Sequence, residues 1–202
     1  SANEKYFDAS VQMQRKSKNS YFISDTLSQK ISETKNSQGV FAVCKMKNEN
    51  ISLKTDQKYI ALDNLQDPGN LGTVIRTAEA LGISSVIVGG GCDVFNPKVL
   101  RASMGSVLRL DVFECQSLAP VLQKAKSLGI KTYATSPDSS AKKINETQFP
   151  KSSLCVIGNE ANGVSDEVMN ICDETVTIPM LGRAESLNAH VAGAIVMWEM
   201  LR

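Results

Sequence analysis

Three short segments carry the residue types that could do polar chemistry. The first reads Asp63-Asn64-Leu65-Gln66-Asp67-Pro68-Gly69-Asn70-Leu71-Gly72-Thr73-Val74-Ile75-Arg76. It turns at Pro68-Gly69 and opens a helical pattern, and a helix N-terminus beside glycine offers free N–H groups to an anion. It is neither G-x-G-x-x-G nor a P-loop, so as a generic nucleotide signal it is weak. Arg76 falls about two turns into that helix. It reads either as an exposed helical arginine or as a phosphate clamp, a task suited to its planar fork of donors. In the second segment, residues 156–164, an apolar run passes straight into Gly158-Asn159-Glu160 and reaches Gly163. This is either a strand-ending turn or a tight loop in which backbone approaches a ligand closely. The third segment leaves a strand at Ile178-Pro179-Met180, loops through Gly182 and enters a helix at Ser186-Leu187-Asn188. Ser186 and Asn188 are ordinary caps by themselves. Three such loops, all holding small polar residues, make a shared binding site a better reading than any one of them does.

The elements that must position these loops alternate between strand and helix. Strands are expected at 58–62, 85–88, 107–113, 131–135, 154–157 and 175–178. Helices are expected at 69–81, 118–128, 165–171 and 185–201, from apolar residues at helical spacing. Leu71, Val74, Ile75 and Ala78 form one such stripe, and Leu187, Val191, Ile195 and Trp198 another. Asn96-Pro97 reads as an N-cap followed by proline at the first helical position. Repeated strand–helix alternation gives an α/β fold, a mostly parallel sheet with helices on both faces. Ligands in such sheets bind at the carboxyl ends of strands, here after Leu62, Val88, Thr135, Ile157 and Ile178.

The 202 residues carry 22 basic and 21 acidic side chains, which excludes nucleic-acid binding by bulk charge alone. The charge is uneven. Residues 1–58 hold ten Lys/Arg and six Asp/Glu, whereas 59–202 hold twelve and fifteen. The basic front is either a solvated polar surface or a face for a polyanion. Within it, 24–34 reads as a helix capped by Ser24 or Asp25, 39–46 as a strand and 47–58 as a polar linker. One helix and one strand cannot close a core, so the front is expected to be the tail end of a small domain.

No apolar run approaches the roughly 20 residues of a membrane span, and the first residues show no apolar leader. Five cysteines without a CxxC pair read as free thiols in a reducing cytoplasm. A single histidine, His190, leaves no His-rich zinc site, and no G-x-S-x-G elbow accompanies it.

In order and spacing, the three segments resemble the motifs of the SPOUT superfamily of RNA methyltransferases, in its SpoU/TrmH-type branch. The matching residues are Asp67-Pro68-Gly69-Asn70-Leu71-Gly72 with Arg76, Ile157-Gly158-Asn159-Glu160 with Gly163, and Ile178-Pro179-Met180 with Gly182 and Ser186-Leu187-Asn188. Asn96-Pro97-Lys98 and Arg101-Ala102-Ser103-Met104-Gly105 are also family-like. The likeness covers residues 59–202, a SpoU/TrmH-type methyltransferase domain. Residues 22–46 resemble the end of the L30e-like substrate-binding domain that often precedes it, so 1–58 is expected to be a partial L30e-like RNA-binding domain with its linker.

The resemblance implies an α/β trefoil knot, S-adenosylmethionine as methyl donor with no metal, and a ribose 2′-hydroxyl of RNA as acceptor. Ribosomal RNA is the favoured substrate. The alternatives are transfer RNA, a non-catalytic RNA-binding protein of the same fold, and a small-molecule nucleotide enzyme. It also implies a cytoplasmic homodimer with the active site at the subunit interface. The cofactor would be held at Thr135, Gly158, Asn159, Ile178, Met180, Leu187, Asn188 and Ala189. The reaction would fall to Arg76, Asn70, Glu160, Ser186 and Asn188, with Asn70 positioning Arg76, Glu160 orienting the second loop, and Ser186 and Asn188 pinning the third. One departure stands out: a small pair usually follows Ser-Leu-Asn, and here it is Ala189-His190. His190 is either a core or interface histidine or a group that reaches the ligand, and histidine ordinarily titrates near neutral pH.

Overall fold

The computed structural model describes residues 7–32, 34, 37–45 and 50–202. The chain divides into two units, Ser1–Asn48 and Glu49–Arg202. The first contains helices α1 (Phe7–Lys16) and α2 (Asp25–Ile31). Ser24 caps α2, its hydroxyl accepting the Leu27 N–H at 3.2 Å, but α2 buries no side chain. Residues 39–45 form no strand, contrary to the expectation for 39–46, and Met46 lies outside the described residues. Val43 is fully exposed there, and among the described residues no strand pairs with this segment.

The second unit is a seven-stranded parallel sheet. Its strands are β1 (Lys58–Asp63), β2 (Ser85–Gly89), β3 (Asp111–Cys115), β4 (Lys131–Thr135), β5 (Lys142–Lys143), β6 (Ser153–Ile157) and β7 (Glu174–Thr177), in the order β3-β2-β1-β6-β4-β7-β5. Strands buried on both faces need unbroken apolar runs, which β1, β2 and β6 have. Alternate residues then serve opposite faces. Ile60 and Leu62 pack with Leu71, Val74 and Ile75 of α3 (Pro68–Leu81) and with Val196 and Met197 of α7 (Ala189–Leu201). Tyr59 and Ala61 pack instead with Leu122 of α5 (Ala119–Ser127) and Val168 of α6 (Asp166–Ile171).

Caps fix the helix starts. Asp67 caps α3 ahead of Pro68, and Asn96 caps α4 (Pro97–Ala102) ahead of Pro97. Gly72 lets α4 come close: a Cβ there would stand 2.6 Å from the Ala102 Cβ and 2.7 Å from the Val99 carbonyl oxygen. This glycine of the first motif therefore serves helix packing rather than anion binding.

Three expectations are corrected. Residues 107–113 are not one strand. Met104 and Gly105 take positive φ (50° and 85°) and start a 3-10 turn at Ser106–Leu108, so the strand begins only at Asp111. The last helix begins at Ala189 rather than at residue 185, because Asn188 supplies its cap. Its buried positions are Ala189, Gly193, Val196, Met197 and Met200, while Val191 and Trp198 of the expected stripe are 38% and 62% exposed. The described part of the 47–58 segment is no free linker. Leu53 is buried in the second core cluster, and the Tyr59 hydroxyl accepts the Lys54 N–H at 2.7 Å.

β5 lies outside β7, while β4 and β6 lie inside it. The chain from β4 to β6 thus passes round β7, and the chain leaving β7 returns to α7 against α3. The knot expected from the resemblance belongs to this crossing. Among the described residues no helix is long and apolar enough to cross a membrane.

Candidate active site

The loops after β1, β6 and β7 are stitched together by side chains. Asp63 ends β1, and its Oδ2 accepts the Ser165 N–H at 2.8 Å. Asn64 follows with φ 55°, and its carbonyl accepts from Asn159 Nδ2 at 2.7 Å. Asn159 Oδ1 also accepts from the N–H groups of Ala161 and Asn162, which closes its own loop. The backbones of Asn159 and Gly163 exchange hydrogen bonds of 2.9 and 3.0 Å. Gly158 lies so close beneath that a Cβ would stand 2.1 Å from the Gly163 carbonyl carbon and 2.2 Å from the Val164 nitrogen. No other residue fits there.

Glu160 occupies the start of α3. Its two oxygens accept from the Gln66 and Asp67 N–H groups at 3.3 Å each, and from Asn70 Nδ2 at 2.8 Å. The Asn70 N–H is taken by Asp67 Oδ1 at 2.7 Å. The sequence suggested donors left open for an anion here, and the anion is the protein's own carboxylate. Partial burial alone would push the Glu160 carboxyl up. The hydrogen bonds from Asn70, Gln66 and Asp67 outweigh it, and the carboxyl sits below the usual carboxylate range.

Asn70 is 7% exposed, and its other amide atom faces α7: Oδ1 lies 2.9 Å from His190 Nδ1. Asn188 accepts the His190 N–H at 3.0 Å as the cap of α7. Glu160, Asn70 and His190 therefore form one chain from the second loop through the start of α3 to the first turn of α7, where the third loop ends. Sequence reasoning singled out each of them but not their contact. The resemblance supplied Glu160 and Asn70, and His190 was visible only as a departure from it.

Thr135 ends β4 beside these loops and donates its hydroxyl to the Val156 carbonyl at 3.0 Å. Ile178 and Leu187 are half-buried, whereas Met180, Leu181 and Ser186 are exposed and Ala189 is buried. Among the described residues, the backbone of 178–187 makes no hydrogen bond, and neither does the Ser186 side chain. Ser186 thus neither caps α7 nor pins its loop. Arg76 is exposed and has no hydrogen bond or ion pair among the described residues. Six residues separate it from Asn70, which turns it about 120° round the helix axis. Arg76 and the Asn70 cluster face different directions, and Asn70 does not position Arg76 by contact.

A cavity of about 260 Å³ opens instead after β2 and β3, lined by Gly90, Gly91, Cys92, Asp93, Glu114 and Cys115. Its carboxylates are engaged, Glu114 by the Val94 N–H and Asp93 by the Phe95 N–H. No residue singled out for chemistry lines it. The residues singled out for chemistry gather instead where the polar loops meet. Among the described residues no three His, Cys, Asp or Glu side chains converge as a metal site would require.

Known proteins resemble this chain in sequence and in fold. The chain is 36% identical over 181 residues to 23S rRNA (guanosine(2553)-2'-O)-methyltransferase RlmP of Bacillus subtilis, covering 89% of this chain and 71% of that one. A putative RNA methyltransferase of the TrmH family from Porphyromonas gingivalis superposes with a TM-score of 0.69 at 34% identity, over 76% of this chain and 62% of that one. The SpoU methyltransferase AviRb from Streptomyces viridochromogenes, solved in complex with the cofactor AdoMet, gives 0.67 at 33% identity, over 74% and 61%. The chain thus spans somewhat under two thirds of these two solved relatives. Residues 57–198 match the SpoU rRNA Methylase family, and the chain belongs to that family.

Proposed function

We propose that this protein transfers a methyl group from S-adenosylmethionine to a ribose 2′-hydroxyl of RNA, with ribosomal RNA as substrate. The observation that carries the reading is the Glu160–Asn70–His190 chain, which joins the first two family motifs to the first turn of α7, directly after the third. The B. subtilis relative is named for the same reaction on 23S rRNA, and that favours ribosomal over transfer RNA.

The residues present fit the cofactor. Among the described residues, backbone from 178 to 187 has no hydrogen-bond partner and lies beside half-buried Ile178 and Leu187, which suits a flat purine with a polar edge. Gly158 and Asn159 would bound it on one side, with Thr135, Met180, Asn188 and Ala189 around it. S-adenosylmethionine supplies an electrophilic methyl on a sulfonium, so neither a metal nor a covalent enzyme intermediate is required. As the oxygen–methyl bond forms, the sulfur–methyl bond breaks to leave a neutral thioether and the hydroxyl proton passes to solvent; the protein must place that oxygen in line with the methyl and stabilise the charge it develops. A guanidinium keeps its protons, so Arg76 acts as a cation at the 2′-oxygen or the adjoining phosphate and not as a base. Glu160 fixes the start of α3 against the second loop, and Asn188 fixes the exit of the third. Ser186, exposed and unpaired, faces substrate.

The active unit is a homodimer with its site at the interface. α7 is apolar nearly all round, as a helix buried on all sides would be, yet Val191, Trp198 and Leu201 are exposed on it. Arg76 points away from the Asn70 cluster of its own chain, and so serves the partner's cofactor. The basic front, residues 1–48, is L30e-like and binds RNA, a reading supported by its charge and by a helix that buries nothing by itself. The protein works in the cytoplasm, in keeping with five unpaired cysteines. Methyl transfer from labelled S-adenosylmethionine to RNA, with the modified nucleotide mapped, tests the proposal. Methylated ribose in ribosomal RNA is expected. RNA binding without methyl transfer would refute it.

A further inference from the structure

His190 holds a place whose chemistry is fixed by its neighbours. Glu160 is an ionised carboxylate and can only accept, so Asn70 must turn its NH2 toward Glu160. That leaves the Asn70 carbonyl oxygen facing His190 Nδ1 at 2.9 Å, and Nδ1 must carry the proton. It does so whether the ring is neutral or charged, so the bond does not depend on the imidazole's protonation. The residue lies in the first turn of α7, two positions beyond the third loop, where Asn188 accepts its N–H. Since backbone 178–187 makes no hydrogen bond among the described residues, that loop is held chiefly by its two ends. One end is β7. The other is the turn that contains His190.

We propose that His190 is a positioning residue, which ties the exit of the third loop to Asn70 and so sets the geometry in which residues 178–188 bind the methyl donor. The inference rests on reading those loops as an S-adenosylmethionine site. The ring need not touch the cofactor or move a proton. Its part is to donate one hydrogen bond, in a fixed direction, to an amide that the second loop has already oriented.

The test is calorimetric binding of S-adenosylmethionine to the full chain and its variants, with thermal unfolding and solution mass measured alongside. In His190→Ala the Kd should rise about tenfold, the equivalent of one well-placed hydrogen bond. In His190→Asn the side-chain nitrogen can stand where Nδ1 stands, and affinity should return to within about twofold of the parent. His190→Gln carries its nitrogen further out, nearer the Nε2 position, and should stay as weak as alanine. KM for RNA should not move. Alanine binding as tightly as the parent, glutamine restoring binding as well as asparagine, or a loss of affinity that merely follows a change in mass would each overturn the inference. A parent protein that binds the donor but methylates no RNA would refute the functional reading alone, and the asparagine–glutamine contrast would still decide the role of His190. A parent that binds no donor would overturn both.

Discussion

Asn70 Nδ2 donates to Glu160 Oε1 at 2.8 Å, and this one bond joins the first turn of α3 to the loop after β6. The same carboxylate receives the N–H groups of Gln66 and Asp67. Glu160→Gln keeps the size of the side chain but replaces one accepting oxygen with a nitrogen that cannot accept. One of the three donors then loses its partner. The expected cost is about 1 kcal/mol, read as a fall in melting temperature of roughly 2–4 °C. Affinity for S-adenosylmethionine should fall as well, because the second loop loses its anchor. An unchanged melting temperature would show that the carboxylate contributes nothing to loop assembly.

The second loop should be intolerant of bulk at one position. Gly158→Ala would put a methyl group 2.1 Å from the Gly163 carbonyl carbon, and backbone cannot swing aside as a flexible side chain can. The loop must open, with a loss of about 1–3 kcal/mol and of donor binding. At Gly182 in the third loop an added Cβ meets nothing within 4 Å. Gly182→Ala should therefore change stability by less than about 0.5 kcal/mol. Urea unfolding of the two variants side by side checks the contrast, and equal losses would contradict it.

What could be read in the sequence divides along a physical line. Parallel strands buried on both faces are short apolar runs that need no distant partner to be recognised, and β4 spans the expected 131–135. Caps are local too, as Asn96-Pro97 shows. The failures are tertiary. The stretch 107–113 reads as a strand, but Glu79 binds Arg109, 30 residues on, and Ser106, and holds the turn at Ser106–Leu108. The stripe of Val191 and Trp198 obeyed helical spacing, yet in a helix apolar nearly all round spacing cannot say which face the core takes. The motifs announced Asn70 and Glu160 individually. That His190 completes them depends on a contact across 120 residues, which no local pattern encodes.

Arg76 separates binding from chemistry. It is exposed and unpaired among the described residues, so its removal should leave the fold and donor binding intact. Arg76→Ala should lose most methyl transfer, on the order of 100-fold or more if it stabilises the developing oxyanion. Arg76→Lys should recover little, because an ammonium lacks the planar fork. Single-turnover rates beside calorimetric Kd values check this. Turnover near the parent level in the alanine variant would remove Arg76 from the mechanism.

The acid limb of stability should carry a signature of Glu79. Hydrogen bonds from Arg109, at 2.7 and 3.0 Å, and from Ser106 hold its carboxyl down at about 2. A carboxyl depressed in the folded state stabilises the fold fully above its ordinary value of 4.5, and that stabilisation is lost as pH falls toward 2. Glu79→Gln cannot titrate, so the gap between parent and variant in urea midpoint should narrow as pH drops through this window. A gap that stays constant from pH 4.5 down to about 2 would mean that the pair contributes nothing through ionisation.

The proposal of a site shared between two chains allows the most discriminating experiment. If Arg76 serves the partner's cofactor, a chain with Arg76→Ala and a chain with Gly158→Ala fail for different reasons and at different places. Mixed and allowed to exchange subunits, they form heterodimers in which the intact Arg76 of the second chain faces the intact donor site of the first. Activity should rise in the mixture well above the small residue that either variant keeps alone. Were each arginine to serve its own chain, every subunit of the heterodimer would lack either the arginine or the donor, and no activity would return. Trp198→Glu supplies the control. A charge at a residue 62% exposed in the single chain costs little fold stability, but should break an apolar interface and drop the solution mass to that of a monomer. Introduced into both chains of the mixture, it should abolish the recovered activity together with the dimer.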